Sequence, residues 1–222
     1  MKVELIDYMG SDLSVVNAAR VSFDKESEWI LDDDGNDVHL PERDYKLIQY
    51  LAKHNHWSPF SHAFLSFRIK APIFVARQLG KHQVGLAWNE VSRRYVDSEP
   101  EFYQPDTWRK RAENVKQGSS EEAVDNDSVP FWAGLVHQQA MYSYNLMLEH
   151  GVCPEQARMV LPQSMMTEWI WSGSLYAFAR VCKLRLDGHT QAETRVVATH
   201  IAKECETLFP ASWNALMETA ND

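Results

Sequence analysis

Residues 74–95 read FVARQLGKHQVGLAWNEVSRRY. Among other polar side chains, this stretch gathers the basic residues Arg77, Lys81, Arg93 and Arg94. An apolar core does not accommodate that density of hydrogen-bond donors. In a chain with a formal net charge of -9, a local basic cluster indicates a compact anionic ligand, such as a phosphate held by forked guanidinium groups. The alternative is a solvated amphipathic helix with ordinary salt bridges, which runs of charge commonly form.

The order of these residues resembles the signature of the flavin-dependent thymidylate synthases (ThyX). The counterpart here is Lys81-His82-Gln83, eight residues and then Ser92-Arg93-Arg94-Tyr95. The family pattern is one residue shorter and has Arg-His-Arg at its start. Lys81 and Gln83 therefore replace two guanidinium groups, which exchanges planar bidentate contacts for a point charge and a neutral amide. We expect weaker anion binding at that corner of the site.

Four further stretches match the family in the same order along the chain. Two lie near the start: residues 12–24, which contain AARVSFD and the flavin-contacting Ser22, and residues 56–62, HWSPFSH. Two lie late in the chain: residues 157–162, ARMVLP, and residues 184–189, LRLDGH. Each late stretch carries an Arg that touches the pyrimidine nucleotide in the family. The matches together span residues 12–189, which is most of the length of the chain.

The resemblance assigns individual residues to the nucleotide, the flavin and the folate. Those assigned to dUMP are Gln78, Lys81, Glu90, Val91, Ser92, Arg93, Arg94, Arg158 and Arg185. Those assigned to FAD are Ser22, Ser58, Lys81, His82, Gln83, Glu90, Ser174, Tyr176, Arg180 and His189. His56 and Tyr95 match positions near the folate and flavin rings.

Arg185 and Ser92 carry the expected catalytic roles. A guanidinium against the uracil edge stabilises negative charge that develops on N3 and O2, which activates C5 as a carbon nucleophile. We assign this role to Arg185, while Ser92 and the backbone around it support the phosphate. Tyr176 and Arg180 differ from the polar residues usual in the family. Tyr176 can stack on an aromatic ring, and Arg180 can replace the missing positive charge.

The resemblance implies an α+β fold with a twisted, mainly antiparallel sheet flanked by helices. It also implies a homotetramer whose active sites are each built from several subunits. The reaction would convert dUMP to dTMP with methylenetetrahydrofolate and NADPH as co-substrates and FAD as cofactor. Two alternatives stay open: a flavin- and folate-dependent dUMP hydroxymethylase, and a non-catalytic nucleotide-binding protein of the same fold.

Other chemistries fit the residues less well. His54, His56 and His62 lack the acidic partners of a metal or nuclease site, and the acidic residues 32–37 lack the spacing of an EF-hand. We therefore predict no metal. Cys153 precedes Pro154 and is not placed as the nucleophile of a classical thymidylate synthase, so we interpret it, with Cys182 and Cys205, as a buried thiol. A Gly-x-Gly-x-x-Gly fingerprint is missing.

Length and composition predict one catalytic domain over residues 1–222, because 45% hydrophobic residues in a chain of this length can form one sizeable core. A pI near 5.5 argues against nucleic-acid binding. The sequence lacks both a run of 18 apolar residues and a signal-peptide core. We therefore expect no membrane partner and a location in the cytoplasm, or in the host cytoplasm if the chain is viral.

Hydrophobic periodicity predicts the main elements. We expect a helix capped by Asp12 and an acidic insertion at about 25–42 that forms a loop or small hairpin. A helix with one apolar face is expected from about 42 to 54, ended by a left-handed Asn55, and a half-buried strand over 63–70. The signature after Gly80 is predicted to be a loop, and residues 104–130 a mobile excursion. Later helices are expected over 131–150 and 174–187. A capping box, Thr190 to Glu193, is expected to open the last helix.

Overall fold

The computed structural model describes residues 1–31, 38–113 and 118–219. In that part of the chain the strands are β1 (Lys2–Met9), β2 (Ile30–Leu31), β3 (Val38–His39), β4 (Phe64–Pro72), β5 (Leu86–Glu90), β6 (Arg109–Arg111), β7 (Ser119–Ala123) and β8 (Met166–Ser174). The helices are α1 (Asp12–Arg20), α2 (Glu42–Lys53), α3 (Ile73–Leu79), α4 (Ser128–Glu149), α5 (Pro154–Ala157), α6 (Leu175–Arg185), α7 (Ala192–Leu208) and α8 (Pro210–Glu218).

The central sheet has the strand order β1-β4-β8-β5, and all its pairs are antiparallel. Alternation along β4 puts Leu65, Phe67 and Ile69 fully in the core, as the sequence predicts. Phe67 and Trp171 of β8 both pack edge-on against Phe178 of α6, with ring centroids 5.1 and 5.4 Å away. The sheet is thus covered on this face by helices, which confirms the α+β class.

The signature after Gly80 contains a strand, so the prediction of a loop over its whole length was wrong. β5 pairs with β8 from Leu86 opposite Gly173 to Glu90 opposite Trp169. Trp88 stacks on Trp169 with ring centroids 4.4 Å apart. The strand is stable because it pairs with the edge of the sheet and because one face of the Trp88 ring packs on Trp169, although most of its residues stay exposed.

Asp12 does not cap the helix that it begins. Ser11 is the N-cap of α1, and its backbone N–H donates to Ser14 Oγ at 3.0 Å. The buried carboxylate of Asp12 instead accepts backbone N–H groups of Ala211 at 2.9 Å and Ser212 at 2.8 Å. Asp12 therefore caps the start of α8, far away in the sequence, and ties both ends of the chain together.

The predicted capping box at residues 190–193 was also wrong. Gln191 is the N-cap of α7 and makes no side-chain cap hydrogen bond. Glu193 points instead to Arg109 of β6, whose guanidinium donates to both carboxylate oxygens at 2.8 and 3.1 Å. A further helix, α8, follows α7, and Pro210 occupies its first position, where a missing N–H costs nothing.

The two insertions each contain a hairpin. β2 and β3 pair within residues 25–42, which confirms the small hairpin; the acidic residues 32–37 lie outside the described residues. β6 and β7 pair within residues 104–130, so the described part of this segment is folded and is anchored to α7 through Arg109. Its mobility stays a prediction, as does the single catalytic domain.

Cys182 and Cys205 are buried, and burial raises the pKa of both thiols. Cys153, by contrast, is exposed at the start of α5, so its interpretation as a buried thiol was wrong.

Within the described residues, no helix combines the length and apolar composition needed to cross a bilayer.

We predict that Asp12→Ala lowers the free energy of unfolding by about 2 kcal/mol, because α8 loses two charge-assisted hydrogen bonds in the core. Urea denaturation followed by circular dichroism measures the change. Asp7→Ala is the matched control: Asp7 is exposed on β1, and its substitution should change the value by less than about 0.5 kcal/mol. Equal effects of the two substitutions would rule out the capping role.

Candidate functional site

Glu90 is fixed at the end of β5 by two hydrogen bonds to its carboxylate. Thr167 Oγ1 donates to one oxygen at 2.7 Å, and Trp88 Nε1 donates to the other at 3.2 Å. The next residue continues the sheet, since the backbone N–H of Val91 donates to Glu168 O at 2.9 Å. The chain therefore leaves β5 in one defined direction, which positions the signature residues that follow.

Ser92 to Tyr95 form a tight turn that their own side chains stabilise. The backbone N–H of Tyr95 donates to Ser92 O at 3.0 Å. Arg94 Nε donates to Ser92 Oγ at 3.3 Å, and the Arg94 guanidinium lies 5.1 Å from the centre of the Tyr95 ring. Arg93 donates to the backbone oxygen of Ser98. Both arginines thus lie on a pre-formed turn.

A cavity of about 550 Å³ lies beside this turn and is called here the Arg158 cavity. Its lining includes four residues that the resemblance assigns to the nucleotide: Glu90, Val91, Arg93 and Arg158. Arg158 is exposed and its Nε donates to Glu155 O at 3.2 Å. The cavity also contains carboxylates, and two of these are paired, Glu101 with Lys70 and Glu168 with Arg68.

A second cluster, called here the Arg185 group, consists of Gln78, His82 and Arg185 together with Gln191 and Thr194. Gln78 Nε2 donates to Gln191 Oε1 at 2.5 Å, and Thr194 Oγ1 donates to Gln78 Oε1 at 3.1 Å. Arg185 Nη2 donates to Gln78 O at 3.2 Å, and Arg185 Nε to His82 Nε2 at 3.0 Å. Both partners of Arg185 come from the signature region, so the C-terminal end of α6 is docked against it.

The electrostatics of the Arg185 group disfavour protonation of the histidine. Burial lowers the pKa of His82, and the positive charges of Arg185 and Arg180 lower it further. Burial also lowers the pKa of Arg185, although a guanidinium stays charged in any accessible pH range. His82 is therefore neutral at physiological pH.

The two clusters have no residue in common. None of the described residues that line the Arg158 cavity belongs to the Arg185 group. The structure thus brings Glu90, Val91, Arg93 and Arg158 together, with Ser92 and Arg94 on the adjoining turn. It brings Gln78, His82 and Arg185 together elsewhere, flanked by the exposed residues Lys81 and Gln83.

A cavity of about 700 Å³ lies between α2, α6 and α8 and is called here the α6 cavity. It contains Tyr176 and Arg180, both of which the resemblance assigns to FAD, and also Lys53 and Lys183. The Tyr176 hydroxyl donates to Asn55 Oδ1 at 2.9 Å. Sequence reasoning missed Lys53 and Asn55 as site residues, because the helix was interpreted only through its apolar face and its expected left-handed end at Asn55. Asn55 lies two residues beyond Lys53, the last residue of α2, and does have a φ of 52°.

The remaining assigned residues lie around this region or along the surface. Ser174 is buried, and its Oγ accepts the backbone N–H of Ala177 at 3.2 Å, so it caps α6. His189 donates through its backbone and side chain to Asp187, which lowers the pKa of that carboxyl. The other assigned residues are exposed: Ser22, His56, Ser58 and Tyr95. Their ligand contacts stay predictions.

Comparisons with known proteins identify the family of the chain. The family model of the thymidylate synthase complementing protein, Thy1, matches residues 4–211. The chain belongs to this family. A flavin-dependent thymidylate synthase of Thermus thermophilus is 38% identical over 216 residues, which cover 97% of this chain and 75% of that protein. The flavin-dependent thymidylate synthase of Thermosipho africanus is 36% identical over 222 residues, with 98% and 91% covered.

A solved structure matches the fold as well as the sequence. The UMP/dUMP methylase PolB from Streptomyces cacaoi, crystallised with 5-Br dUMP, superposes with a TM-score of 0.83 at 30% identity, and the match covers 98% of this chain and 95% of PolB. The Thy1 assignment therefore rests on the whole fold and not only on the signature.

The Thy1 family implies FAD, and the residues of the α6 cavity fit this cofactor. The cavity places the basic side chains of Lys53 and Arg180 in a space that also contains the phenol of Tyr176, while Lys183 is bonded to Thr219. Cations suit the negatively charged phosphates of a dinucleotide, and an aromatic side chain suits a planar ring. Arg180 and Tyr176 are the residues of this chain that we expect to hold it.

We predict that the purified protein retains FAD after incubation and desalting, measured by flavin absorbance near about 450 nm. Arg180→Ala should raise the dissociation constant for FAD about tenfold, because one charge-assisted hydrogen bond to phosphate is lost. Lys46→Ala is the control, since Lys46 is an exposed residue of α2 paired with Glu42 and outside the cavity lining. A colourless wild-type protein, or unchanged FAD affinity in Arg180→Ala, would contradict this assignment.

Proposed function

We propose that this chain is a flavin-dependent thymidylate synthase that converts dUMP to dTMP, with methylenetetrahydrofolate as carbon donor and NADPH as reductant. The observation that carries the proposal is the placement of the family's arginines in two prepared clusters, the Arg158 cavity and the Arg185 group. The bound flavin would supply the reducing equivalents that complete the methyl group. The protein itself contributes binding, orientation and electrostatic stabilisation.

The Arg158 cavity is suited to hold the nucleotide. Arg158 and Arg94 offer forked guanidinium groups, which bind phosphate oxygens in a bidentate manner. Ser92 can donate its hydroxyl to the same phosphate, because among the described residues its oxygen serves only as an acceptor from Arg94. Glu90 is held by Thr167 and Trp88, so the backbone that follows it stays in place without the ligand.

The Arg185 group is suited to the electrostatic part of the reaction. Arg185 is half-buried and held by two hydrogen bonds, through Nε and Nη2. Within the described residues Nη1 has no partner, so an N–H group stays available for a ligand oxygen. A pre-oriented cation in a partly desolvated place stabilises negative charge on the pyrimidine more strongly than a mobile one in water.

We further propose that the protein is a homotetramer with shared active sites. Helix α4 supports this, since it buries only Ala140 and Tyr144 among its described residues. It exposes several large apolar side chains, including Phe131 at 63%, Trp132 at 55% and Val136 at 57%. Such a patch is usual for a protein interface. A neighbouring subunit could then bring its Arg185 group to the Arg158 cavity of the first.

The expected location is the cytoplasm. The described cysteines are all unpaired thiols, which is usual for proteins of a reducing compartment. The proposed co-substrates, NADPH and a reduced folate, are also reduced compounds, which suits the same compartment.

We predict that Arg185→Ala lowers kcat by about 10²–10³-fold, because one pre-oriented donor to the developing charge is lost. The fold should persist, since only the bonds to His82 and Gln78 O are removed. Release of tritium from dUMP labelled at C5 measures turnover. Arg111→Ala, at an exposed position of β6, is the control and should match the wild type.

Mass spectrometry of the nucleotide product completes this experiment. We expect the mass of dTMP; a product heavier by one oxygen would indicate the hydroxymethylase alternative, and no tritium release would favour a non-catalytic nucleotide-binding protein. A parallel reaction with UMP tests the requirement for the deoxyribose, since PolB is described as a methylase of both nucleotides.

A further inference from the structure

The contact between His82 and Arg185 restricts the protonation state of the histidine. Arg185 Nε carries a hydrogen and donates to His82 Nε2 at 3.0 Å. A guanidinium has no acceptor atom, so His82 Nε2 must present its lone pair. In a neutral imidazole the proton then lies on Nδ1. Within the described residues Nδ1 makes no hydrogen bond, so the contact with Arg185 is the one that fixes the tautomer.

The surroundings of His82 contain positive charge and no compensating carboxylate. Arg185 and Arg180, both on α6, are the charged groups that act on it, and Lys81 precedes it on its own loop. The neighbouring helix α3 contributes two neutral backbone oxygens, since Leu79 O accepts the backbone N–H of His82 and Gln78 O accepts from Arg185. No carboxylate among the described residues hydrogen-bonds to His82. Nothing in this part of the molecule therefore stabilises an imidazolium.

We propose that neutral His82 is a positioning residue that orients the Arg185 guanidinium, and that its protonation releases Arg185 and turns the pyrimidine site off. The proposal rests on the proposed function. A protonated Nε2 cannot accept the hydrogen bond, and two positive groups would then repel each other at contact distance. Arg185 would keep only its bond to the backbone oxygen of Gln78, which one torsional change can break.

The direction of the pH dependence follows from this geometry. The pKa of His82 lies below its ordinary value of about 6.5, for the reasons given above. The histidine is therefore neutral and Arg185 is held above that pKa. The arrangement is lost as the pH falls through the pKa, so kcat should decline on the acidic side and not on the alkaline side.

The first test is the pH profile of kcat for the wild type and two variants of His82. For the wild type we expect kcat to fall about tenfold for each unit of pH below the pKa of His82. His82→Gln keeps an acceptor near the position of Nε2 but does not titrate, so the ratio of kcat at low and neutral pH should approach one. His82→Phe removes the acceptor and should lower kcat at every pH. An acid decline in His82→Gln equal to that of the wild type would overturn the proposal.

The control is His200→Gln. His200 is exposed on α7 and its Nδ1 bonds to Val196 O of the same helix. This variant should keep both the activity and the acid decline of the wild type. If His200→Gln also loses the acid decline, the loss in His82→Gln would be a general effect of removing a histidine, which would contradict the role of His82.

The second test needs no turnover, so it decides the proposal even if the proposed function fails. Nuclear magnetic resonance of the protein with ¹⁵N-labelled histidine reports the tautomer and pKa of His82. We expect the Nδ1–H tautomer in the wild type, and a pKa that rises in Arg185→Ala because a positive charge has been removed. An Nε2–H tautomer, or a pKa that does not change in Arg185→Ala, would overturn the proposal.

Discussion

The antiparallel pairing of β5 with β8 is the constraint on which the rest of the site depends. Gly173 makes the close approach possible, since a Cβ at this position would lie 2.4 Å from Leu86 Cδ2 and 2.7 Å from Gly85 O. Any larger residue would push β5 away from the sheet. The register then places Glu90 opposite Trp169 at one end and Gly85 beside the start of α6 at the other.

Because β8 runs directly into α6, this single pairing positions both clusters. Thr167, near the beginning of β8, holds the Glu90 carboxylate beside the Arg158 cavity. Ser174, at the end of β8, caps α6, and Arg185 is the last residue of that helix. The loop that precedes β5 brings His82 against Arg185. The Arg158 cavity and the Arg185 group are therefore coupled through one strand and one helix.

The sequence predicted those features whose cause is local. Alternation identified β4, and the left-handed Asn55 marked the end of α2. The family motifs indicated which arginines to examine. Features caused by distant partners were not predictable: β5 is a short segment of five residues that forms a strand by pairing with β8, which is far away in the sequence. Likewise, Asp12 caps a helix at the other end of the chain. The Glu193 carboxylate accepts a hydrogen bond from Arg109 and does not cap the helix on which it lies.

Because the Arg158 cavity and the Arg185 group have no residue in common, mixing of subunits tests the proposed shared active site most directly. Arg158→Ala and Arg185→Ala subunits, each of which we expect to be nearly inactive alone, are co-expressed, and the turnover of dUMP by the purified mixed oligomers is measured. If each active site combines the two arginines from different subunits, some sites receive both, and random assembly should restore about a quarter of wild-type activity. Activity no greater than that of the separate variants would contradict a shared site.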